Sequence, residues 1–234
     1  MSTFVLVHGA FHGGWVWERV SPLLRAAGHT VFTPTFTGLG ELAHLLTPDI
    51  SIETHVRDIT DLLEREDLRA VILVAHSYGA FLLPAMVAQA AGRVARAVNL
   101  DALVFEDGDS FAARSPRAFA EFSALAQVHG DGWKVPPPPW SFGLTDEADL
   151  RWLRARLTPH PLRTFAEAVR YDPALFQSVP RTFVNFTDGL IPQDMPATRE
   201  KLQRDGWDYH TLRTGHDAML TEPRRLADLL MMLA

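Results

Sequence analysis

Val71-Ile72-Leu73-Val74-Ala75-His76-Ser77-Tyr78-Gly79-Ala80 begins as an unbroken apolar run and ends on a serine set between Ala75 and Gly79. The run predicts a buried parallel strand over 71–75, and the small residues around Ser77 predict a sharp turn into a helix over 78–91. Such a turn lifts a serine hydroxyl above the sheet edge, where bulky side chains two positions away on either side would collide with it. Gly79 meets that demand fully, and Ala75 adds only a methyl group. Ser77 is therefore the candidate nucleophile. The plainer alternative is a small residue in a tight turn.

A serine hydroxyl is a weak nucleophile until a base takes its proton and an acid orients the base. Two later segments offer these groups just past short strands. Thr182-Phe183-Val184-Asn185-Phe186 leads into Thr187-Asp188-Gly189-Leu190-Ile191-Pro192, and Tyr209-His210-Thr211-Leu212 leads towards Gly215-His216-Asp217-Ala218-Met219-Leu220. His216 is the candidate base, with His210 left inside its strand as a structural residue. Asp188 is the expected acid. Asp101 follows the predicted strand 96–100 and is placed to reach the same histidine, so topology keeps that alternative open. Asp217 is expected to point away from the base, and Asp194 to interact with the first turn of a helix over 194–205.

The first strand, Phe4-Val5-Leu6-Val7, enters the glycine-rich turn His8-Gly9-Ala10-Phe11-His12-Gly13-Gly14. A backbone N–H from this turn, at Ala10, and the N–H of Tyr78 at the start of the helix after Ser77 form the expected oxyanion hole. The first amides of a helix have no intrahelical acceptor and sit at its positive end. His76 is expected to be a buried, hydrogen-bonded core residue, and His12 to fix the turn by hydrogen bonding. No His-Glu-x-x-His arrangement accompanies these histidines, so no catalytic metal is expected. The glycines lack the Lys-Ser/Thr or Gly-x-Gly-x-x-Gly context of a phosphate cradle.

The 234 residues, 47% hydrophobic, suffice for one large core. A net charge of −6 without a basic run argues against nucleic acid or an anionic membrane as partner. Cysteine is absent, which excludes a thiol nucleophile and a disulfide framework. No signal peptide precedes the first strand, and no apolar run approaches about 18 residues, so the expected location is the cytoplasm.

Strands and helices alternate as in an α/β protein with a mostly parallel central sheet flanked by helices. Helices are expected over 16–27 and 51–67, with a strand over 29–33 between them. The rhythm breaks between Asp101 and Val179, where helices over 115–128, 145–157 and 161–170 surround the stiff Pro136-Pro137-Pro138-Pro139 spacer. The expected organisation is a single domain over 1–234. Its core is 1–108 with 180–234, and about 109–179 forms an inserted helical cap. Phe11 and His12 from the first turn, and Trp133, Trp140, Phe142 and Trp152 from the cap, are the candidate lining of a substrate pocket; Phe119 and Phe122 add to the cap's aromatic content. A last helix is expected over 222–230 with Thr221 as its N-cap.

The run from Phe4 to Trp15, the Ala75-His76-Ser77-Tyr78-Gly79 turn, Asp188-Gly189-Leu190-Ile191-Pro192 and His216-Asp217-Ala218-Met219-Leu220 resemble the α/β-hydrolases that include plant methylesterases and hydroxynitrile lyases, with many bacterial relatives. The resemblance covers nearly the whole chain. It implies the α/β-hydrolase fold with a small helical cap, a Ser77, His216 and Asp188 triad, oxyanion donors at Ala10 and Tyr78, no cofactor, and frequently a homodimer. The lyases carry a lysine after the catalytic histidine and a threonine beside the oxyanion turn, where this sequence has Asp217 and Ala10. The expected activity is hydrolysis of small, partly apolar carboxylic esters through an acyl-enzyme. A hydroxynitrile-lyase-like C–C cleavage, a lactonase or a biosynthetic tailoring reaction would use the same residues.

Overall fold

Apolar strands separated by helices build one six-stranded sheet in the computed structural model, which describes residues 1–90, 92–189 and 195–234. Its strands are β1 (Thr3–Val7), β2 (Thr30–Phe32), β3 (Val71–His76), β4 (Val94–Leu100), β7 (Arg181–Phe186) and β8 (Trp207–Leu212); the short β5 (Lys134–Val135) and β6 (His160–Pro161) form a separate antiparallel pair. The order is β2-β1-β3-β4-β7-β8, and every pairing in the sheet is parallel. All the carboxyl ends therefore meet one edge, where open α/β sheets bind ligands.

The helices are α1 (Ser21–Ala26), α2 (Ile52–Arg65), α3 (Tyr78–Gln89), α4 (Phe111–Arg114), α5 (Pro116–His129), α6 (Glu147–Arg154), α7 (Arg163–Ala166), α8 (Pro173–Gln177), α9 (Met195–Arg204), α10 (Ala218–Thr221) and α11 (Pro223–Met232). Period-two alternation along the strands feeds two cores. Val5, Val7, Leu73 and Ala75 pack on the side of α2 and α3, while Phe4, Leu6, Ile72 and Val74 pack with residues of α1 and α11. Ser51 starts α2 with a reciprocal capping box to Thr54, and α2 turns Val56, Ile59 and Leu63 inward. β3 is buried along its whole length, and α3 is buried from Tyr78 to Val87, as a central strand and the helix after it should be.

Several expected boundaries change. The helix over 16–27 is shorter, because a 3-10 turn occupies Gly14–Trp17 and Pro22 sets the first turn of α1. The expected helix over 161–170 contracts to α7. His160 and Pro161 pair instead with Val135 and Lys134, and the chain is extended again at Glu167, whose carboxylate accepts the Ile52 N–H at the start of α2 (2.9 Å). Thr221 does not cap α11: it ends α10, and its hydroxyl meets Thr214 Oγ1 at 2.8 Å.

Between β4 and β7 the chain makes an excursion containing α4 to α8 and the β5–β6 pair. It is tied to the sheet edge by backbone bonds from Thr158 N–H to Phe11 O and from Asp217 N–H to Phe142 O, both 2.9 Å. Arg19 adds a two-pronged ion pair to Asp149 on α6, at 3.1 and 2.5 Å. Among the described residues, no helix is long and apolar enough to cross a membrane.

Candidate active site

Ser77 follows β3 directly and holds φ 50°, ψ −120°, a conformation uncommon for a residue with a side chain. The surroundings enforce it: Ser77 N–H donates to Leu100 O at 3.1 Å, and α3 presses on the end of β1. A Cβ at Gly79 would stand 2.6 Å from the His8 carbonyl oxygen, so only glycine allows this approach.

The hydroxyl of Ser77 lies 3.0 Å from His216 Nε2, and His216 Nδ1 lies 2.7 Å from Asp101 Oδ2. His216 and Asp101 are both almost fully buried, at 4% and 1% exposure. In this relay Nδ1–H donates to the carboxylate and Nε2 is free to accept the serine proton. The arrangement can therefore generate an alkoxide-like nucleophile and stabilise the imidazolium that results.

The carboxylate at His216 is a correction. Asp101, rather than the expected Asp188, meets the imidazole. Asp101 comes immediately after β4 with φ 49°, and its Oδ1 accepts the Phe186 N–H at 3.3 Å. The turn after β7 passes closely over it: a Cβ at Gly189 would collide with the Asp101 carboxylate. Asp188 is exposed on the outer side of that turn, with its N–H bonded to Thr214 O at 3.0 Å. Leu190, Ile191 and Pro192 of the motif, and the expectation for Asp194, lie outside the described residues.

His216 is held by its neighbours. His76 Nε2–H donates to the His216 carbonyl at 3.0 Å, and the two rings are 4.5 Å apart. Burial, then the nearby His216, push the His76 pKa well below the ordinary histidine value, and His76 is the buried, hydrogen-bonded residue expected from sequence. Gly215 lets the loop that carries His216 pack on Gly143; a Cβ there would come 2.5 Å from Gly143 Cα. The Phe142 ring stacks over His216 at 6.2 Å.

Ala10 and Tyr78 border the same cavity as Ser77 and His216, and neither of their N–H groups has a protein acceptor among the described residues. The Gly9 carbonyl, which shares a planar peptide with the Ala10 N–H, accepts from His8 Nδ1–H at 2.8 Å, while His8 Nε2 accepts the Phe36 N–H at 3.0 Å. Burial pushes the His8 pKa down to about 3. His12 lies in the turn as expected, with Nδ1 2.6 Å from Ala10 O and Nε2 3.1 Å from Asp217 Oδ2. Burial opposes charging His12, but the Asp217 carboxylate outweighs it and the net pKa is raised. Asp217 is fully buried against His12. Among the described residues, no group of three or more His, Asp or Glu is arranged to hold a metal ion.

The cavity above Ser77 measures about 170 Å³. Of the expected lining residues, Phe11, His12, Trp140 and Phe142 border it, with Trp140 at the rim and 40% exposed. Trp133 and Trp152 do not, which is a second correction. Trp152 lies on the face of α6 opposite the buried Leu150 and Leu153, edge-on to Trp15 and beneath the Arg156 guanidinium at 4.3 Å. Trp133 sits in the turn after α5 under the Lys134 ammonium. The walls come instead from Phe81, Phe111, Phe122 and Phe165, with Leu103. Phe122 is part of the aromatic content visible in the sequence. Phe81 is carried by α3, four residues after Ser77, whereas Phe111 and Phe165 sit on the four-residue α4 and α7, whose ends carry no clear signal in the sequence.

A parallel sheet with a serine at a sharp strand-to-helix turn, a histidine from the last strand's loop and a helical excursion over the carboxyl edge defines an α/β-hydrolase. The chain belongs to the alpha/beta hydrolase family, whose model matches residues 4–229. It is 35% identical to a carbendazim hydrolyzing esterase of Nocardioides sp. (strain SG-4G), covering 97% of this chain and 98% of that protein. It is 25% identical to methylesterase 1 of Arabidopsis thaliana over 99% and 95% of the two chains. A solved extracellular alpha/beta-hydrolase from a Paenibacillus species, described as sharing structural and functional homology with tobacco salicylic acid binding protein 2, has the same fold. Its TM-score is 0.84 at 23% identity, over 99% of this chain and 98% of that one.

Proposed function

We propose that this carboxylic ester hydrolase cleaves compact, uncharged, partly apolar esters through an acyl-enzyme on Ser77, with His216 as general base and acid and Asp101 as the orienting carboxylate. The observation that carries the reading is the continuous Ser77–His216–Asp101 relay opening into an aromatic-walled cavity. Ser77 Oγ attacks the ester carbonyl as its proton passes to His216 Nε2. The tetrahedral oxyanion is taken by the N–H groups of Ala10 and Tyr78, each contributing about 3 kcal/mol if it behaves as a single oxyanion donor does. His216 then protonates the leaving alcohol, and water repeats the sequence on the acyl-enzyme. The excursion between β4 and β7 acts as the cap, and its phenylalanines select for apolar groups around the scissile bond.

Cyanohydrin cleavage has less support, because position 217 carries a carboxylate already engaged by His12 rather than a free cation. The test is a fluorophosphonate adduct mapped by mass spectrometry, together with a panel of methyl and aryl esters, lactones, carbendazim and a cyanohydrin. An adduct on Ser77 with ester turnover sustains the reading. Labelling elsewhere, or cyanohydrin cleavage without any ester turnover, overturns it.

A further inference from the structure

The turn that supplies the Ala10 N–H is gripped at consecutive peptide groups. His8 holds the Gly9 carbonyl, His12 Nδ1 holds the Ala10 carbonyl at 2.6 Å, and the Phe11 N–H points to His160 Nδ1 at 3.5 Å. Phe11 has φ 67°, so this backbone course is not one the chain would keep unaided. Of the three histidines, His12 alone reaches across to the base loop. Both of its ring nitrogens face oxygens that accept, the Ala10 carbonyl and the Asp217 carboxylate, so both carry protons. Asp217 is the residue after the base, is 0% exposed, and its Oδ1 has no hydrogen-bond partner among the described residues. His12 is thus its buried counter-charge. The ring is fixed by Trp15 at 5.4 Å and by Phe142, edge-on at 5.2 Å.

We propose that His12, locked by Asp217, is a positioning residue: a two-bond strut that sets the Ala10 oxyanion donor relative to His216. The inference rests on the serine-esterase reading above. The Ala10 N–H belongs to the planar Gly9–Ala10 peptide, held through the Gly9 carbonyl by His8, and the Ala10 carbonyl belongs to the next peptide, held by His12; with both planes pinned, the two Ala10 dihedrals that join them are pinned as well. Release of the Ala10–Phe11 peptide frees those dihedrals and lets the Ala10 N–H tilt away from the developing oxyanion, a change felt in the transition state more than in the bound ester.

Two substitutions separate the halves of the strut. Asparagine at 12 places an amide N–H near the position of Nδ1, keeping the bond to Ala10 O, whereas glutamine places one near Nε2, keeping the bond to Asp217. In the full-length enzyme, His12→Gln should lower kcat on a turned-over ester by at least about a hundredfold with KM within about threefold, the loss expected for a misplaced oxyanion donor. His12→Asn should retain kcat within about tenfold of wild type. Asp217→Asn, which keeps shape but removes the counter-charge, should lower kcat about tenfold, again with little change in KM. Equal kcat values for the two His12 variants, or a KM effect alone, would refute the strut. If His12→Gln does not fold, wild-type kcat in Asp217→Asn does so instead. Failure of the esterase reading looks different: wild-type enzyme would lack ester turnover and Ser77 labelling, and the strut would fall with it.

Discussion

Asp101 Oδ2 lies 2.7 Å from His216 Nδ1, while Asp188, one strand further along the sheet, faces solvent. β4 and β7 are adjacent and in register, with Leu100 opposite Val184, so the two carboxylates start from neighbouring points on the same edge. What separates them is the turn: Asp101 follows its strand directly, as Ser77 does, whereas Asp188 sits beyond Thr187 on a turn closed by the Gly189 N–H to Phe186 O bond at 3.0 Å.

Asp101→Asn should reduce kcat by about 10⁴-fold, since an amide favours the wrong imidazole tautomer and carries no charge opposite the imidazolium. Asp188→Asn should stay within about threefold of wild type, as expected for an exposed residue away from the relay. Steady-state rates for both variants, with circular dichroism to confirm folding, decide the assignment. A fully active Asp101→Asn protein would return the acid to Asp188.

Ser77→Ala should lower ester turnover by at least about a thousandfold, leaving the contribution of binding and the oxyanion donors. Its thermal midpoint should not fall, because the serine is held at positive φ for its chemistry rather than for packing. Retention of more than about a tenth of wild-type turnover would exclude Ser77 as nucleophile.

The revised pocket gives a paired test. Phe122 borders the cavity at 6% exposure and meets Phe11 edge-on at 5.8 Å. Phe122→Leu should therefore raise kcat/KM for bulky esters relative to methyl esters by several-fold. Trp152→Ala removes a half-buried cation–π contact worth about 0.5–1 kcal/mol and should leave the ester preference unchanged. The same selectivity shift in both variants would return Trp152 to the pocket.

The sheet, the serine turn and the histidine loop are legible because each is written in contiguous residues: an apolar strand, then a small or polar residue at its carboxyl end. The carboxylate that meets His216 is not, because Asp101 and Asp188 both satisfy that local pattern and only the course of the 187–189 turn distinguishes them. Trp133 and Trp152 mislead for a related reason. Aromatic content marks an apolar surface, but the face of α6 that turns inward is chosen by Leu150 and Leu153 and by the Arg19–Asp149 tie. The His12–Asp217 pair joins residues 205 positions apart, and adjacency of Asp217 to the base says nothing of its partner.

The buried histidines should make folding sensitive to acid. His8 and His55 have pKa values lowered by burial from 6.5 to about 3 and about 4, and His76 and His160 are lowered well below 6.5 by the same cause. For each, the unfolded chain binds a proton before the native state does, so the stabilisation is complete above pH 6.5 and declines as pH falls towards the folded-state value. Between pH 6.5 and 5, His8 and His55 should together remove about 3 kcal/mol, at a limiting slope of about 1.4 kcal/mol per proton per pH unit. His12 acts in the opposite sense. Burial opposes its charge, but Asp217 raises its pKa, so its contribution is present below pH 6.5 and is lost as pH rises through its folded-state value. It therefore offsets little of the acid loss. Denaturant unfolding at pH 6.5, 5.75 and 5 should show a steady fall in stability. His55→Asn should be less stable throughout, because the Tyr78 hydroxyl and the Thr37 carbonyl lose their partner, yet its slope against pH should be shallower by nearly one proton. An unchanged slope in His55→Asn, or stability that is flat from pH 6.5 to 5 in the wild type, would mean that these imidazoles take up protons without unfolding the chain.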